Sequence, residues 1–227
     1  VGLALLALPS AFVGRHAGLV NARGNGVRVS ETQLPELHDI LRRECDVLGM
    51  EGVPELYVSH ELEDMASAYE VAGGRSAVVI SADLLFAGHW RSHLDVIAFA
   101  IGHGLGALRL GHTRWWLEVL TAYAVRVPGL RTPVLEAYTF SRDRCAAFAV
   151  PGGVRALLIE AVGKELVDDV DVRAFIGQAR SFGGGWAWIA GLSRRTVPHA
   201  CARVRALYEA GFFDLERDLS RFAAVTT

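Results

Sequence analysis

Cysteine is scarce in this chain: Cys45, Cys145 and Cys201 are the three among 227 residues, widely separated, odd in number and without a C-x-x-C pair. That excludes a disulfide scaffold and a cysteine-built metal centre, and it fits buried, reduced thiols in a cytoplasmic protein. Net charge is nearly absent as well. Lys and Arg total 23 against 25 Asp and Glu, leaving -2 at pH 7 and a pI of about 6.5. The basic footprint of a nucleic-acid binder is therefore missing. Long hydrophobic runs are missing too. The apolar stretch Val1 to Val13 falls short of the roughly 20 residues that a helix needs to cross a bilayer, so no transmembrane segment is expected. Residues 1–22 read instead as an apolar arm or helix packed on the domain. The chain opens on Val1 rather than Met, and a fragment or processed form is expected. Internal repeats and low-complexity tracts are absent, so residues 23–227 read as a single domain.

What is present is apolar: 52% of residues are hydrophobic and the mean hydropathy is +0.28, which predicts a large buried helical fraction. The clearest stretch is Ile97 to Trp116. Leu94, Ile97, Ile101, Leu105 and Leu108 recur three or four apart, the stripe of a helix with one buried face. Ser92 and Asp95 stand as a near capping box before it, and Gly111 is a natural stop. Upstream, Ser30 and Gln33 are placed to cap a helix whose inner face is Leu34, Leu37, Leu41, Cys45 and Leu48. Glu55 to Ser59 and Arg75 to Ser81 read as strands, the second being the strongest in the chain. Downstream, helices are expected over Arg114 to Val127, Pro133 to Phe148 with Thr132 as N-cap, Val154 to Val167 and Asp171 to Phe182. A last helix follows Pro198, with Val204, Leu207 and Tyr208 inward. Ser181 to Trp188, rich in glycine, reads as a loop or a lid.

The central helix, carrying His103 and ending in Gly111-His112, resembles the active-site helix of gluzincin zinc metallopeptidases, metallopeptidase family 48 of the HtpX and CAAX-prenyl-endopeptidase type. The family pattern there is H-E-L-G-H followed by G-H. Two histidines at i and i+4 hold zinc, and the glutamate activates the water. The five positions here are His103, Gly104, Leu105, Gly106 and Ala107. Only the first ligand is kept. The family's third ligand comes from E-[YF]-x-A-D, matched here by Thr139-Phe140-Ser141-Arg142-Asp143, so that ligand is replaced by Thr139 and the alanine by Arg142. Asp143 remains where the resemblance implies a carboxylate that orients His103. Pro198, Arg203, Val204 and Leu207 keep a further family pattern, and the resemblance spans about Val27 to Tyr208.

It implies an α+β fold: a mostly helical minigluzincin-like domain with a mixed sheet of three or four strands, and a loop over Ala66 to Gly74, where Ser67 replaces the family's asparagine. It also implies that Ala77, Val78, Val79, Ile80 and Ser81 form the sheet edge, where main-chain bonds hold an extended peptide. With His103 the one metal-binding side chain left among the four zinc-site positions, the expected function is that of a catalytically inactive homologue that binds a peptide or protein partner. No cofactor is expected. Two alternatives stand beside this reading. One is an active zinc endopeptidase whose site is rebuilt from His103, His112 and His199 with Asp143. The other is a structural subunit whose interface uses Trp115, Trp116, Trp186 and Trp188.

Overall fold

In the computed structural model, residues 17–60, 62, 64–71, 75–85, 94–125, 127, 130–163, 166–181 and 198–214 are described. Ser92 and residues 182–188, which hold all of the proposed lid but Ser181 and include Trp186 and Trp188, lie outside them. The element order is β1 (Val27–Arg28), α1 (Pro35–Val47), β2 (Glu55–Ser59), β3 (Ala66–Val71), β4 (Arg75–Ser81), α2 (Leu94–Arg109), α3 (Trp115–Ala124), α4 (Arg131–Ala149), α5 (Arg155–Val162), α6 (Val172–Ser181) and α7 (Ala200–Glu209). The fold is α+β, mostly helical with one four-stranded mixed sheet. Among the described residues, no helix is long and apolar enough to cross a membrane.

The sheet runs β1-β2-β4-β3. β2 and β4 pair in parallel, and the two outer pairings are antiparallel. Side chains alternate across it as the strand period requires. Leu56, Val58, Val78 and Ile80 enter the main core, while Tyr57, Ala77 and Val79 face Leu19 and Ala22 on the other side. Those two belong to helical residues 17–25.

Two expectations for the sheet are corrected. Ala66 to Gly74 is not a loop throughout, because Ala66–Val71 forms β3. Nor do Ala77, Val78, Val79, Ile80 and Ser81 form an edge: β4 is interior, with β2 on one flank and β3 on the other. The reason lies in composition. AVVIS is apolar on both faces and buried throughout, the signature of an interior strand, whereas ASAYEV mixes polar and apolar positions. Among the described residues, β3 is the edge on that side.

α2 is the centre of the molecule, buried continuously from Val96 to Ala107. It packs on α4 on one side and on the sheet on the other, and its glycines make both approaches close. A Cβ at Gly106 would lie 2.9 Å from Cys145 Cβ, and one at Gly102 would lie 3.0 Å from Ala146 Cα. Both contacts are with α4. A Cβ at Gly104 would overlap Val78 of β4. The helix ends in a Schellman turn: Gly111 takes φ 70°, and the amide of His112 reaches back to the carbonyl of Ala107 at 2.9 Å.

Three helix details differ from expectation. Ser30 Oγ does accept from the Gln33 amide, yet α1 starts only at Pro35. Gln33 instead sends its side chain to the Arg28 carbonyl, leaving the capping box half made. α4 begins at Arg131, so Thr132 is not its cap; Pro133 sits in the first turn, where an N–H donor would have had no intrahelical acceptor, so none is lost. Val204 and Leu207 are buried on α7, but Tyr208 is 41% exposed and leans on Phe213. On α3, Trp115 and Trp116 are exposed.

Candidate functional site

The crossing of α2 and α4 brings His103 onto Asp143, with Nδ1 to Oδ1 at 2.8 Å. Both side chains are buried. Arg203, from α7, closes a two-pronged bond on the same carboxylate, Nε to Oδ2 at 2.8 Å and Nη2 to Oδ1 at 2.7 Å. Its third nitrogen, Nη1, donates to Glu160 of α5 at 2.7 Å. Four helices thus meet on one charge network. Burial alone would raise the Asp143 pKa, but the charge and hydrogen bonds of Arg203, with the bond from His103, outweigh it and bring the carboxyl down to about 2. Arg203 is buried too, and its two carboxylates hold its pKa above the ordinary value.

An ionised carboxylate only accepts hydrogen bonds, so Nδ1 of His103 is the donor and Nε2 carries the free lone pair. Burial lowers the His103 pKa, against the opposing pull of Asp143, so the neutral form is favoured. The ring lines a cavity of about 210 Å³ together with Met65, Ala66 and Ser67 at the start of β3, and Thr139, Arg142 and Arg203. Thr139 is buried in its wall.

Arg142 stands one residue before Asp143 but belongs to a different set of contacts. Its Nε reaches His112 Nδ1 at 3.3 Å. His112, turned back by Gly111, stacks on Tyr138 with ring centroids 4.3 Å apart. Tyr138 in turn shares a 2.6 Å hydrogen bond with Thr121 of α3. Burial, then the nearby charges of Arg142 and His103, push the His112 pKa down to about 4, so it accepts from Arg142 as a neutral ring. His199 sits at the N-cap of α7 and interacts electrostatically with Glu136. Among the described residues, no three His, Cys, Asp or Glu side chains gather in a way that would hold a metal ion.

The residues present do not fit a catalytic zinc ion. Such a site needs three protein donors and an open position. His103 supplies one imidazole nitrogen, Gly104 and Ala107 supply nothing, and Asp143 is committed to His103 and Arg203. A side chain at residue 104 would also require Val78 to shift, since a β-carbon there overlaps it.

Sequence reasoning had placed His103 and Asp143 on this crossing. It noted Arg203 only as part of a pattern and missed its role, and it missed Glu160 and Tyr138. The one available signal was Arg203 itself, an arginine on the apolar face that also carries Val204 and Leu207.

One curated protein resembles the chain: plastoglobule-localized metallopeptidase 48 of the Arabidopsis thaliana chloroplast, 27% identical over 176 residues, which is 70% of this chain and 50% of that protein. The chain spans about half the length of that relative. The match marks a distant relationship to metallopeptidases. No family model and no solved structure matches.

Proposed function

We propose that the chain is a catalytically inactive metallopeptidase homologue that binds an extended peptide or protein segment beside the His103 cavity. The observation that carries this reading is the contact of Gly104 with Val78. At residue 104, where the resemblance implies a water-activating side chain, the helix lies directly against the sheet, and His103, Asp143 and Arg203 frame the cavity beside it. The edge strand β3 runs out of that cavity and supplies main-chain groups that can pair with a partner strand of almost any sequence.

The test is the metal content of the purified protein after incubation with zinc and desalting. The expected result is a stoichiometry near zero. About one tightly held zinc per chain, with peptide cleavage that a chelator abolishes, would instead establish the rearranged, active site.

A further inference from the structure

We infer that the cavity at the start of β3 receives the C-terminal carboxylate of a bound peptide, with Arg142 as the cation that holds it. The inference rests on the peptide-binding reading above and names the end of the peptide that the site selects.

The first observation is an imbalance of pairing. The network holds two arginines a short distance apart, and they are treated differently. Arg203 is saturated: two oxygens of Asp143 and one of Glu160 take its three nitrogens. Arg142 is half-buried on the same cavity wall, and among the described residues its one hydrogen-bond partner is the neutral ring of His112. A guanidinium withdrawn from water without a carboxylate is costly, and it draws an anion with matching fork geometry. The other charges facing it are Asp143, already bound to His103 and Arg203, and Asp64, which is exposed at the rim and makes no ion pair with it. Glu160 shares the cavity but is bound to Arg203. With these carboxylates nearby, a single negative charge suits the site better than a phosphate.

The second observation is direction. Residues 64–67 line the cavity, so β3 begins there and runs away toward Val71. A strand added antiparallel to β3, the slightly more stable pairing, therefore ends its own chain at the cavity. A strand added in parallel would begin there and bring an ammonium to Arg142. The charge of Arg142 and the antiparallel preference select the same end. The lone pair on His103 Nε2 adds an acceptor in the same space, which suits the terminal peptide N–H next to a carboxylate.

The experiment uses two pools of randomised decapeptides, identical except that one ends in a free carboxylate and the other in an amide. Each is passed over the immobilised full chain, and retained peptide is quantified by mass spectrometry. The free-acid pool should be retained roughly tenfold more strongly than the amide pool, the scale of a charge-assisted pair in a partly desolvated site. Arg142→Gln should abolish the difference, and Arg142→Lys, which keeps the charge and loses the fork, should restore part of it. Circular-dichroism melting of both variants checks that they fold, and if one does not, the other decides. Equal retention of the two pools would overturn this inference and leave the peptide-binding reading intact. Retention of neither pool would overturn both. An acid preference that survives Arg142→Gln would overturn the assignment to Arg142. N-acetylglycine is the control for a free small carboxylate, and if it competes as strongly as the peptide acids themselves, the peptide source is overturned.

Discussion

Gly104 pulls stability in two directions at once. Helix propensity favours replacing it, because alanine in a helix interior gains about 1 kcal/mol over glycine. Packing opposes the change, because the new methyl group collides with Val78, and overpacking a tight core costs about 1–3 kcal/mol. The packing cost exceeds the helical gain, so Gly104→Ala is expected to lose about 1 kcal/mol in urea denaturation. Gly177 in α6 is the control. Nothing lies within 4 Å of a Cβ there, so Gly177→Ala should stabilise by about 0.5–1 kcal/mol.

Glu44 makes a second argument at this scale. It is buried on α1, both carboxyl oxygens lack a hydrogen-bond partner among the described residues, and burial pushes its pKa from 4.5 to about 9. The folded chain therefore keeps a proton that the unfolded chain releases. A raised folded-state pKa means that its stabilising effect is complete below pH 4.5 and is lost as pH rises through about 9. Glu44→Gln should flatten the decline of stability across that window, read from thermal melts at successive pH values.

At the scale of elements, Asp143 and Arg203 tie α2, α4, α5 and α7 together. Removing one partner of a buried pair leaves the other charge uncompensated, so Asp143→Asn is expected to cost about 3–5 kcal/mol in urea denaturation. The acid side follows from the same pair. Asp143 has its folded-state pKa lowered from 3.8 to about 2, so its contribution is present above pH 3.8 and is lost as pH falls through about 2. Glu44 and Asp143 thus erode stability from opposite sides. The elements themselves were unequally visible. α2 was legible because its apolar period matches one helical face. β3 was not, because Ala66, Ser67, Ala68 and Glu70 carry little strand signal of their own. That segment is a strand because β4 offers it a ladder from Ala66 opposite Ile80 to Val71 opposite Arg75.

For the whole molecule, the distant relationship to metallopeptidases stands beside the His103–Asp143–Arg203 network and the close approach of Gly104 to Val78. The zinc-content and peptide-pool experiments address the molecule at this level. The first asks whether the chain holds zinc, and the second asks whether it retains peptides and prefers a free C-terminal carboxylate.

The buried central helix and the absence of metal-donor side chains at residues 104 and 107 were determined by the sequence alone, because each depends on periodicity or on the identity of one residue. Three other features belonged to the tertiary structure. Arg203 meets Asp143 across 60 residues of chain, and local patterns carry no information about such a pairing. β4 is interior rather than an edge because β3 pairs with it, a choice made between strands and not within one. Among the described residues, Arg142 meets His112 rather than a carboxylate, and Asp143 beside it in sequence is bound by Arg203.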